Sequence, residues 1–161
     1  MTKDYSSGIG LVEVIVSVAI LAFSLIGIVG GFNFYLRAGI ENTDEIRALY
    51  LAEEGIEAVK FLRDGSWDAN VAALATGTPY QLAIVGTTWE STTTPVLIDN
   101  LFTRTFTLDD VFRRNSDDDI VASTSAEVKT LDPDAKEVAV RVSWADEEVE
   151  TITYITNLFK Q

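Results

Sequence analysis

One carboxylate stands alone in the apolar N-terminal stretch of this chain. Within IGLVEVIVSVAILAFSLIGIVGGFNFYL, Ile9 to Leu36, Glu13 is the only charged side chain. An acid at the centre of a membrane helix costs about 2.5–3.5 kcal/mol on insertion scales, and less near the interface, so it needs either a cation or a route to the headgroups. Both solutions satisfy the position of Glu13, and position alone leaves both open.

Elsewhere the residue types remove more chemistry than they supply. The 161 residues include no cysteine and no histidine, so a disulfide framework, a thiolate nucleophile and the commonest general base and transition-metal ligand are all absent. Asn115-Ser116-Asp117-Asp118-Asp119 offers hard oxygen atoms of the kind calcium takes, but it lacks the spaced acids, the glycine and the distal glutamate of an EF-hand. A solvated acidic loop is the simpler reading, and no metal or cofactor is assigned. Arg113 and Arg114 are the nearest approach to a basic patch and run straight into Asp117 to Asp119. With 12 Lys+Arg against 25 Asp+Glu, a formal charge of -13, nonspecific binding to nucleic acid is disfavoured. Carboxylate pairs suited to glycoside hydrolysis cannot be recognised by counting, because the separation that defines them is spatial. Trp67, Trp89 and Trp144 are read as core rather than as a ligand platform. No catalytic residue is assigned.

The elements that must carry Glu13 are legible. A bilayer core takes about 20 apolar residues in a helix, while the apolar region of a secretory signal takes about 7–15. Ile9 to Leu36 is therefore of spanning length, and Leu36-Arg37-Ala38 is a poor secretory cleavage site. Val14 to Phe32 carries no charge; Phe32, Phe34 and Tyr35 supply an interfacial aromatic cluster, and Arg37 marks the return to water. Gly27 and Gly31 form a G-x-x-x-G pair beside Gly30, which fits close helix packing as well as the ordinary tolerance of glycine in membrane helices. After Arg37 the pattern turns amphipathic. Ile46, Leu49, Ala52, Ile56, Val59 and Leu62 form one apolar stripe while most acids lie off it. No proline interrupts Ile9 to Arg63, so one helix of roughly 80 Å is expected at 1.5 Å per residue, stopped at Asp64-Gly65.

Beyond Trp67 the composition shifts to Thr, Val, Ile and aromatics punctuated by turn residues, which predicts strands at 80–85, 101–108, 137–144 and 149–158 and a helical turn near 69–74. Val138, Val140, Val142 and Trp144 alternate onto one face that should cover a core. Ala145 to Glu148 is short enough to join the last two strands as a hairpin. The expected fold class is α+β: a long N-terminal helix, apolar then amphipathic, packed on a C-terminal antiparallel sheet of about four strands.

The run Gly8-Ile9-Gly10-Leu11-Val12-Glu13, followed at once by a long apolar helix, resembles the type IV prepilin leader shared by pilins, minor pilins and pseudopilins. The resemblance implies a leader at 1–8, a transmembrane and assembly helix at 9–36, its amphipathic continuation at 37–64 and a β-rich headgroup at 65–161. It also implies that a prepilin peptidase cuts between Gly8 and Ile9, that the new amine of Ile9 is methylated, and that Glu13 is the family's glutamate at the fifth mature position. A free α-amine, with a pKa of about 7.7–8.0, is largely cationic at neutral pH, so Glu13 of a neighbour could neutralise it and set the register of an incoming subunit. The implied partners are other pilin subunits, the peptidase, the pilus assembly machinery in the membrane, and lipid before assembly. The implied location is a single pass of the cytoplasmic membrane, leader inside, and then an extracellular filament. The chain departs from the family in having Ile9 and Gly10 where phenylalanine and threonine are usual, in a leader whose Lys3 is opposed by Asp4, and in lacking the disulfide that closes the C-terminal loop of many major pilins. The competing expectation is a permanently anchored single-pass protein whose outer domain binds a ligand or catalyses a reaction.

Overall fold

The computed structural model of the chain describes residues 6–158. Its arrangement is α+β: a long N-terminal helix, α1 (Ser6–Gly65), precedes an antiparallel sheet on which the later turns of the helix pack. Residues through Asp44 form one unit and those from Glu45 a second. The leader residues Lys3 and Asp4 lie outside the described residues.

In the second unit α1 buries Ala48, Ala52, Ile56, Val59 and Leu62. The front of the expected stripe needs correction: Ile46 and Leu49 remain 49% and 46% exposed, and Ala48 takes the buried position instead. The reason is the closeness of helix and sheet. Ala48, Ala52 and Gly55 are small where the opposing strands contribute large side chains, and a Cβ added at Gly55 would stand 2.7 Å from Val140 Cγ1 and 3.0 Å from Arg104 Cδ. A spacing of 4, 3, 4 and 3 from residue 48 through 52, 55, 59 and 62 keeps this narrow face on one side of the helix. Asn70, in the short π-helical turn Asp68–Ala72, donates from its amide to the Leu62 carbonyl at the helix end, satisfying an acceptor that the helix itself leaves open.

Among the described residues the sheet has seven strands rather than about four: β1 (Tyr80–Val85), β2 (Thr88–Thr92), β3 (Leu97–Ile98), β4 (Phe102–Arg114), β5 (Ile120–Val121), β6 (Lys129–Trp144) and β7 (Glu147–Thr156). The main path is β2-β1-β4-β6-β7, with β3 and β5 both paired to β4. The four expected strands correspond to β1, β4, β6 and β7. Three were hidden: β2 reads Thr-Trp-Glu-Ser-Thr, with no apolar alternation, and β3 and β5 have two residues each. β4 and β6 also run further than expected. Past a bulge at Asp110/Val111 they continue pairing through polar residues such as Arg113 with Thr130, where apolar periodicity no longer marks a strand. β6 and β7 form the expected hairpin, its turn tightened to Ala145 and Asp146, with Ala145 at φ 45°.

The core lies between one face of the sheet and the helix. Phe102, Phe106 and Leu108 of β4 and Val138, Val140 and Val142 of β6 are sealed against the helical residues. Trp67 and Trp144 are buried and Trp89 packs against the cluster, as expected of core tryptophans.

Candidate functional site

The first unit holds the residues that the sequence singled out. Gly8, Ile9, Glu13, Gly27 and Gly31 all lie in α1. Glu13 is exposed, and among the described residues no hydrogen bond or ion pair reaches it. Around it the apolar side chains are exposed on every side of the helix: at about 100° per residue Val12, Ile20, Ile28, Val18 and Ile26 are spread evenly around the axis, and Phe23 is 76% exposed. The helix is long and apolar enough to cross a membrane, with a mean hydropathy of 2.6 in its most apolar window.

Two polar side chains within this stretch are satisfied by the helix itself. Ser24 Oγ donates to the Ile20 carbonyl at 2.8 Å, and Asn33 Nδ2 to the Val29 carbonyl at 3.0 Å. Such back-bonding lets a hydroxyl or amide sit in an apolar medium without an outside partner. A carboxylate has no donor to offer a carbonyl, so Glu13 cannot be satisfied in this way and needs a donor from elsewhere. Gly27 and Gly31 meet nothing: a Cβ at either position would have no atom within 4 Å. Phe34 and Tyr35 stand edge to face at 6.0 Å, both exposed.

In the second unit the charges that might have formed a ligand site are paired with one another. Arg114 gathers Asp117 at 2.7 Å, Glu127 at 2.9 Å and Asp119 at 3.7 Å, while Arg113 holds Asp132 at 2.6 Å. The 115–119 loop therefore folds around a guanidinium. Hydrogen bonding to Arg114 lowers the pKa of Asp117, and the bonds to Glu127 and Asp117 raise that of Arg114. Among the described residues no group of three or more acids is arranged to hold a metal ion.

Sequence reasoning missed Arg104. It is 4% exposed on the core side of β4, donates to the Leu51 carbonyl at 3.0 Å, pairs with Glu54 at 3.3 Å and lies with its guanidinium carbon 5.3 Å from the Trp89 ring centre. Burial lowers its pKa and the Glu54 carboxylate opposes that shift. The alternation of Phe102, Arg104, Phe106 and Leu108 was the available signal, since it places Arg104 on the same face as the aromatics. A groove of about 350 Å³ runs beside it, lined by Leu51, Leu82 and Trp89 among others. A second cavity, about 510 Å³, is bordered by Asp109, Asp110, Glu137 and Tyr154. Two of its acids are engaged: Asp110 holds Lys136, and Glu137 accepts from the Tyr154 hydroxyl, which raises the tyrosine pKa.

No family model matches the chain, and no curated protein or solved structure matches it either.

Proposed function

We propose that this chain is a pilin-like structural subunit: a single-pass membrane protein that loses residues 1–8 to a prepilin peptidase and is then drawn into an extracellular helical filament. The observation that carries the reading is Glu13 itself: in the apolar turns of α1 Ser24 and Asn33 are closed on the helix, whereas this carboxylate, the one charged side chain of that stretch, meets no donor among the described residues. In lipid the exposed apolar surface needs no protein partner. Once withdrawn from lipid, the same surface must be covered by other helices, and Gly27 and Gly31 leave open faces where a neighbouring backbone can approach. Glu13 then receives the newly formed Ile9 amine of an adjacent copy. The headgroup supplies the folded exterior, and no residue in it is assigned a catalytic role.

Intact mass of the full chain, expressed with and without a prepilin peptidase, tests the reading. The expected result is loss of Met1 to Gly8 only when the peptidase is present. A permanently anchored outer domain predicts an unchanged precursor in both. Substitution Glu13→Ala is expected to leave cleavage intact and to deplete the chain from sheared filaments, as read by immunoblot; normal incorporation would remove the proposed charge pair.

A further inference from the structure

Residues 6–10, Ser-Ser-Gly-Ile-Gly, are all helical, so α1 already runs through the Gly8–Ile9 bond that the pilin-like reading assigns to a peptidase. A peptide bond inside a helix is a poor substrate for hydrolysis. Its carbonyl is the acceptor for the N–H four residues on, here Val12, and the coiled backbone hides the carbonyl carbon from an attacking water. The chain must therefore open locally before it can be cut.

The composition at this end makes opening easy. Each glycine disfavours the helix about fivefold relative to alanine, and serine is weaker than alanine as well. Gly8 sits at the bond itself, but Gly10 has no such duty. Packing within the chain does not explain it, because a Cβ at residue 10 would meet no atom of the described residues within 4 Å. Backbone conformation does not explain it either, since Gly10 is not among the residues with positive φ. What glycine changes at this position is the balance between helix and unwound, extended chain. Its location also limits how far opening spreads: from Leu11 the run is apolar apart from Glu13, and backbone groups freed within hydrocarbon would have no partner.

We propose that Gly10 is a positioning residue for leader removal. It allows the first turns of α1 to unwind as far as Leu11, presenting the Gly8–Ile9 bond to the peptidase in extended form. Water then adds to the Gly8 carbonyl carbon and the bond to the Ile9 nitrogen breaks. Gly8 departs with the leader as a carboxylate, and the Ile9 nitrogen takes up protons to become the new amino terminus. The inference rests on the pilin-like reading and adds to it a residue that acts through the helix rather than by touching the reacting atoms.

The test is kcat/KM for cleavage of the purified full-length chain by a prepilin peptidase, followed by intact mass. Gly10→Ala is expected to lower kcat/KM about three- to fivefold, and Gly10→Ser about twofold, because serine lies between glycine and alanine in helix propensity. That order separates the proposal from simple crowding in the peptidase: serine is larger than alanine, so a steric effect would make it at least as slow. Gly39→Ala, far along the same helix and equally free of neighbours, is expected to be cut at the wild-type rate. A Gly10→Ala chain cut as fast as wild type, or a Gly10→Ser chain slower than Gly10→Ala, overturns the inference while leaving the pilin-like reading in place. A wild-type chain that is not cut at all overturns both.

Discussion

From Leu11 to Ile40 large side chains such as Ile15, Leu25 and Phe34 stay exposed, whereas from Glu45 onward Phe102, Phe106, Leu108 and Val138 are sealed between sheet and helix. The two regions draw on the same apolar residue types. What differs is their distribution around the element. In the second unit apolar and polar residues fall on opposite faces, so each element has one face to bury and the chain supplies its own partner. In the first, the apolar residues surround the helix, and no single facing element could cover them. That surface stays exposed on a helix long and apolar enough to cross a membrane.

Mutations should therefore act in opposite ways in the two regions. The largest contrast is expected between Phe106→Ala and Phe23→Ala. Phe106 is 1% exposed, and its removal should cost the headgroup about 3–5 kcal/mol, read as a fall in the denaturant midpoint of tryptophan fluorescence. Phe23→Ala should leave that midpoint unchanged; a matching fall would show that the apolar turns belong to the same cooperative core. A smaller difference separates two glycines. Gly55→Ala drives a methyl group into Val140 and Arg104. Overpacking costs about 1–3 kcal/mol and is partly offset by about 1 kcal/mol of helix propensity, for a net loss of up to about 2 kcal/mol in thermal unfolding of the headgroup. Gly31→Ala has no clash to meet and should not lower that transition.

The smallest effect is electrostatic and confined to the second unit. Asp117 has its pKa lowered, first by hydrogen bonding to Arg114. A depressed carboxylate stabilises the fold above its unfolded pKa and loses that contribution as pH falls through the folded value. Below about pH 4 the wild type should therefore lose stability more steeply than Asp117→Asn. Denaturation midpoints measured down the acid range would check this. Parallel curves for the two chains would mean that the Arg114 cluster adds nothing in solution.

Much of this contrast was legible in the sequence because it is written in local periodicity. The uninterrupted helix, the isolated Glu13, and the alternation of Val138, Val140, Val142 and Trp144 each depend on residues a few positions apart, and the hairpin after Trp144 on a short polar break. What escaped depends on partners far away in the chain. Thr88–Thr92 becomes a strand by pairing through the Gly86-Thr87 turn with β1, not by any pattern of its own. Ile46 and Leu49 match the helical period as well as Ala48 does, yet only the small residue fits where the sheet comes close.

The division between the two sources of information follows from range. Sequence alone determined that the chain begins with a long apolar helix carrying one acid and ends in strands with a buried face, since helix and strand periods repeat over a few residues. Tertiary structure decided that Gly55 lies against Val140, that Arg104 reaches the Leu51 carbonyl, and that the acids of the 115–119 loop close on Arg114 together with Glu127. Those contacts join residues whose proximity no local pattern encodes, because it arises only when the sheet is assembled and laid on the helix.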